Sequence, residues 1–246
     1  MKEFRWQIIL ALILVGLSAL LYYWHFTIFH DAHHIFIYLI GDIAFVPIEV
    51  LLVTLIIHQV LSVREKRHRL EKLNMVIGVF YSDFGTKLLV LLSDIDPGLE
   101  EIKNNLIVTN NWTDWEFKRV SRWLKKHDYS IDMKRLDLKN TKDMLATKRD
   151  LLMQMLENPT LLEHESFTDL LWSVFHLTEE LLSRKDLKHI PESDLDHLTL
   201  DVKRVYARLV YQWIDYMKYL KNSYPYLFSL AMRTNPFDET ATVEVK

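Results

Sequence analysis

Cysteine is absent from this 246-residue chain. Its absence excludes disulfide frameworks, thiolate nucleophiles and cysteine-type zinc sites, and it suits a reducing compartment such as the cytosol. Glycine and proline are scarce, at five and six residues. A β fold with many tight turns needs more of both, so an all-α fold is expected. Neither sign of charge dominates: the formal net charge is −3, without the basic excess that nucleic acid demands of a partner. Catalytic signatures are missing as well. There is no phosphate-binding glycine loop, no Gly-x-Ser-x-Gly elbow and no His-Glu-x-x-His. The expectation is a protein that is not an enzyme and carries no resident cofactor, with a bound cation as the one exception.

What is present is concentrated hydrophobicity. A first apolar run covers about residues 6–24 and contains no charged residue. At 1.5 Å per residue it is long enough to cross a hydrocarbon core of ~30 Å. Trp6 at one end and Tyr22, Tyr23 and Trp24 at the other have the placement of interfacial aromatic anchors. A cleaved signal peptide is the rival reading. The length of the run, the lack of a small-x-small cleavage site and the second apolar run that follows at once all weigh against it.

The second run covers about residues 35–61 and exceeds one bilayer thickness, so it should tilt or project beyond it. Lys2 and Arg5 precede the first run, and Arg64, Lys66, Arg67, Arg69 and Lys72 follow the second. The connection from His25 to His34 carries neither Lys nor Arg. The positive-inside rule then puts both termini in the cytoplasm of a multi-pass protein of the cell (inner) membrane. Arg64, Lys66, Arg67 and Arg69 are candidates for anionic lipid headgroups.

Two carboxylates interrupt the second run. Asp42 and Glu49 are seven residues apart, two helical turns, and share one face. A buried Asp in mid-membrane costs roughly 2.5–3.5 kcal/mol on insertion scales. A lone two-helix hairpin shields neither group from lipid, so a homo-oligomer is expected, with the Asp42–Glu49 face turned to its axis. Rings of carboxylates attract inorganic cations, and an apolar collar of Val53, Ile56 and Val60 beyond them suits a gate that closes by dewetting. Pro47 lies between the carboxylates and deprives the Ile43 carbonyl of its helical partner, so a kink is expected there. The leading expectation is a cation channel lined by the second helix. A static polar contact and a proton relay stay open for the same residues. The alternative function is a membrane-anchored scaffold or sensor whose helical domain binds a protein partner.

His30, Asp31, His33 and His34 form a second candidate, at the outer end of the second span. If the helix begins near His30, the three imidazoles fall at i, i+3 and i+4 on one face, a spacing that suits a transition metal or a pH response. The competing reading is a polar helix cap, with Asp31 at the positive end of the helix dipole.

The remaining chain reads as a basic juxtamembrane extension to residue 73, a cytoplasmic all-helical domain over 74–235 and a flexible tail over 236–246. Residues 75–92 are expected as a buried helix, although their composition also allows a third span. Further helices are expected over about 113–127, 138–157, 161–184, 192–222 and 226–232, the first opened by the capping box of Thr113 and Glu116. His176 with Glu179 and Asp194 with His197 have the i, i+3 spacing used in carboxylate-bridged bundle metal sites, although solvated surface pairs share it.

The two-span layout resembles small tetrameric potassium channels and pentameric magnesium transporters. The Thr-Val-Gly-Tyr-Gly filter of the first and the Gly-Met-Asn loop of the second are both missing. Neither family is assigned, and any channel here must select ions through side chains of the second span.

Overall fold

A computed structural model describes residues 2–159, 161 and 164–244, without the side chains of 2–5, 7 and 66–73. The described residues are helical with no strand. By internal contacts the chain divides into two units, 1–66 and 67–246. The division falls inside the basic extension.

The first unit comprises α1 (Lys2–Phe29) and the first part of α2 (Ala32–Phe80). The break between them is shorter than the expected connection. His30 takes a left-handed conformation, φ 52°, and its N–H closes the last turn of α1 on Phe26 O at 2.8 Å. Asp31 then starts α2 by accepting a hydrogen bond from the His34 N–H at 3.1 Å. An αL residue followed by an Asp cap stops one helix and begins the next without Gly or Pro. Pro47 lies inside α2, which continues through it.

The second unit buries its own core. A π turn, Tyr81–Gly85, joins α2 to α3 (Thr86–Ser93). Then come α4 (Leu99–Lys103), α5 (Asp114–Leu124), a 3₁₀ turn at Met133–Arg135, α6 (Leu138–Ala146), α7 (Arg149–Leu156), α8 (Glu165–Ser183), α9 (Glu192–Ser223) and α10 (Pro225–Arg233). Helix α9 is the central element, packed against α3, α5, α8 and α10, while α8 also carries α6 and α7. Its sequence explains that position. Leu198, Val202, Val205 and Leu209 bury one stripe, and Tyr206, Val210, Trp213 and Met217 bury another, so α9 is apolar around much more than one face. Phe80, Tyr81, Phe84 and Phe167 join Trp213 of α9 in the core, each at most 2% exposed.

Several boundaries depart from expectation. The helix expected over 138–157 is two, α6 and α7, separated at Thr147–Lys148. The third apolar stretch, Asn74–Ser93, is long and apolar enough to cross a membrane by composition. Yet Ile77, Phe80, Tyr81, Phe84, Leu88, Leu89 and Leu92 are all buried in the second unit's core. The segment expected as a tail is tied down at its start. Asn235 Nδ2 donates to Leu106 O at 3.0 Å, Phe237 is buried and Lys103 pairs with Glu239 at 2.5 Å. One large aromatic among polar neighbours is enough to seat that segment.

Candidate functional site

Helices α1 and α2 hold the first group of candidates. Ile8–Phe29 and Ala32–Glu65 are both long and apolar enough to cross a membrane, and none of the residues in their most apolar stretches is buried. Exposed apolar surface on that scale is foreign to a water-facing protein and marks a surface made for lipid or protein. Asp42 and Glu49 stand on this surface, both exposed. Among the described residues neither has an ion pair or hydrogen bond.

The two carboxylates differ in setting. Asp42 lines a cleft between α1 and α2 that also includes Ser18, Tyr22, His25, His34 and Tyr38. Glu49 is outside that lining. The His25 and His34 rings stack in the cleft at 5.9 Å and 3°, and His34 leans on Tyr38 at 4.6 Å. The Nδ1 of His25 is buried without a hydrogen-bond partner. His25, at the end of α1, is thus a polar group facing the Asp42 cleft that the charge pattern alone did not mark. Val53, Ile56 and Val60 are exposed on α2, as is Arg64. The side chains of Lys66, Arg67 and Arg69 lie outside the described residues.

The outer His cluster assembles differently from its spacing. Helix α2 begins at Ala32, so His30, in its left-handed conformation, is not on a helical face with His33 and His34. His30 packs instead on Phe26 of α1, ring centroids 6.2 Å apart. Asp31 acts as the helix cap.

In the second unit the i, i+3 pairs of the sequence are also redistributed. Glu179 pairs with Arg149 at 2.6 Å, and Asp194 takes the fork of Arg184. His176 and His197 turn to Glu180 and Asp201, their i+4 neighbours. The Arg184 guanidinium beside Glu180 holds that carboxyl below its ordinary range, against the opposing effect of burial.

These observations define an all-helical protein of two units, one apolar hairpin and one domain with its own aromatic core. Family models divide the chain in the same way. Residues 2–61 match "MJ1433, N-terminal helical domain", and residues 69–233 match "Uncharacterized protein MJ1433, C-terminal helical domain". The chain belongs to the MJ1433 family. "Uncharacterized protein MJ1433" of Methanocaldococcus jannaschii is 45% identical over 243 residues, covering 99% of this chain and 98% of the relative. No solved structure matches the chain.

Proposed function

We propose that this chain is a homo-oligomeric membrane protein in which α1 and α2 cross the bilayer with both termini cytoplasmic, and that the Asp42–Glu49 face of α2 lines a path for cations. The observation that carries this reading is the pair of carboxylates, without partners among the described residues, on the exposed apolar stretch Ala32–Glu65 of α2. In lipid such groups need protein, water or a cation around them. Association of several copies through this face supplies all three.

Seven residues of helix separate the two positions by about 10 Å along the axis. Two rings of carboxylates would therefore act as successive cation sites, with Val53, Ile56 and Val60 following on the same helix toward its cytoplasmic end. Asp42 also faces the α1–α2 cleft, so its charge is shared between that cleft and the path. Glu49 has no such alternative and is the residue on which selectivity rests.

The cleft favours one further role for Asp42. Ser18, His25 and His34 give it polar neighbours within one hairpin, an arrangement suited to passing or storing protons. That role concerns the outer half of the hairpin and leaves Glu49 as the cation site.

Mass measurement of the full chain in mild detergent, followed by reconstitution in planar bilayers, tests the reading. The expected result is a discrete oligomer that conducts cations under voltage, tension or a pH step. A monomer at all concentrations, or an oligomer silent under every stimulus, would refute it and leave a membrane-anchored scaffold or sensor.

A further inference from the structure

A second, independent site lies in the helical domain, where α8 and α9 face each other. His176 and Glu180 are one turn apart on α8, and His197 and Asp201 are one turn apart on α9. Their donor atoms converge. Asp201 Oδ2 is 3.3 Å from His176 Nε2 and 3.4 Å from His197 Nε2. Glu180 carboxylate oxygens are 3.8 Å from His176 Nε2 and 3.9 Å from His197 Nε2. The ligand atoms of His176, Glu180 and His197 all lie within 4.8 Å of one another.

Asp201 supplies the decisive observation. Its side chain is 2% exposed, and its Oδ2 accepts no hydrogen bond. A buried carboxylate oxygen left unsatisfied is costly. The other oxygen, Oδ1, is held by Arg204 Nη1 at 2.7 Å, while Oδ2 lies within 3.4 Å of both imidazole Nε2 atoms.

Charged hydrogen bonds between imidazolium and carboxylate close to about 2.7–2.9 Å. The contacts here are longer, and both rings present the same nitrogen, Nε2, to one oxygen. Two imidazole nitrogens thus converge on one carboxylate oxygen. Zinc–nitrogen and zinc–oxygen bonds of ~2.0–2.2 Å in a tetrahedron put neighbouring ligand atoms roughly 3.3–3.6 Å apart. The two Asp201–His distances fall in that range, and the Glu180 contacts, at 3.8 Å and 3.9 Å, are longer.

We infer that His176, Glu180, His197 and Asp201 bind one divalent first-row transition cation of the zinc class. Two carboxylates, each also paired with an arginine, and two imidazoles make a ligand set suited to borderline metals. Outer contacts orient the ligands, as such sites require. Arg204 holds Asp201, and Arg184 Nη1 holds Glu180 Oε2 at 2.7 Å while its remaining nitrogens grip Asp194. Both histidines are about half exposed, so an ion reaches the site from solvent. With four protein ligands the coordination shell is closed, and the ion acts as a staple between α8 and α9.

The test uses the full chain in detergent, stripped with chelator and titrated with Co²⁺ while visible absorption is recorded. The expected result is saturation at one Co²⁺ per chain with an intense tetrahedral-type spectrum, discharged by Zn²⁺. His176→Ala and His197→Ala should each weaken binding at least tenfold, and Zn²⁺ should raise the melting temperature of the native chain but not of the double variant. Both histidines are exposed enough that these variants keep the fold, which far-UV circular dichroism verifies. Asp201→Asn should weaken binding with Arg204 still in place; should that variant fail to fold, the histidine variants decide. No saturable spectrum, or one that persists in the His176→Ala, His197→Ala double variant, overturns the inference and leaves an ion-pair network. Conduction by the hairpin has no bearing on this outcome.

Discussion

Gly85→Ala places two physical effects in opposition, and the structure decides which prevails. Gly85 closes the π turn with helical dihedrals, φ −58° and ψ −41°. Backbone considerations alone favour alanine there, by roughly 0.5–1 kcal/mol, because glycine loses more conformational freedom on folding. Space does not. A Cβ at Gly85 would stand 2.5 Å and 2.7 Å from two ring carbons of Phe80 and 3.1 Å from the Phe80 carbonyl oxygen. The Phe80 ring has no room to withdraw, since it packs edge-on against Tyr81, Phe84 and Phe167 and is 0% exposed. Overpacking of this kind costs about 1–3 kcal/mol. The net expectation is a loss of about 1–2 kcal/mol. For a chain of this size that lowers the melting temperature by roughly 2–8 °C. Gly78→Ala is the control, because its Cβ would meet only Tyr216 at an ordinary 3.8 Å; it should be neutral or slightly stabilising. Near-UV circular dichroism of the full chain in detergent, followed on heating, reads the aromatic core directly. A melting temperature for Gly85→Ala equal to or above that of the parent would refute the reasoning that Phe80 fills the space a Cβ at Gly85 would need.

Two further outcomes are expected. Thr113 and Glu116 form a reciprocal capping box at the start of α5, and the Thr113 backbone N–H holds the Glu116 carboxyl below its ordinary range. A depressed carboxylate contributes stability that is present above its unfolded pKa and lost as pH falls through its folded pKa, so Glu116→Gln should be less stable than the parent at neutral pH and equal to it in acid, as read by thermal melts across pH. For topology, the absence of native cysteine allows single-site labelling: Ala32→Cys should react with an impermeant thiol reagent outside intact cells, whereas Val243→Cys should react only after permeabilisation, and the reverse pattern would invert the proposed orientation.

The hairpin, the capping box and α9 were legible because each is written in local pattern: apolar length, cap residues, and a helical period bounded by Pro191 and Pro225. What escaped was set by tertiary register. Glu179 and Glu180 are adjacent, about 100° apart around the helix, and spacing from His176 admits either. Packing of α8 on α9 turns Glu180 toward His197 and sends Glu179 to Arg149. The same choice makes Asp201, rather than Asp194, the partner of His197. The π turn and the break at Thr147–Lys148 carry no proline, and only Gly85 hints at the first. The tail around Phe237 looked polar because one aromatic is invisible to a window average. His30 ended α1 through a left-handed conformation that glycine usually adopts, so the i, i+3, i+4 face of the outer histidines had no helix to lie on.

The most direct test of the proposed cation path is the reversal potential of the reconstituted chain under a two-sided salt gradient, compared with Glu49→Gln. Glutamine keeps the shape and removes the charge. If Glu49 lines the path, the parent should reverse near the cation equilibrium potential, and the variant should assemble normally yet carry less current or reverse closer to zero. Asp42→Asn should shift it in the same direction by less, since Asp42 also faces the α1–α2 cleft. A conducting parent whose current and reversal potential are unchanged by both substitutions would contradict the account.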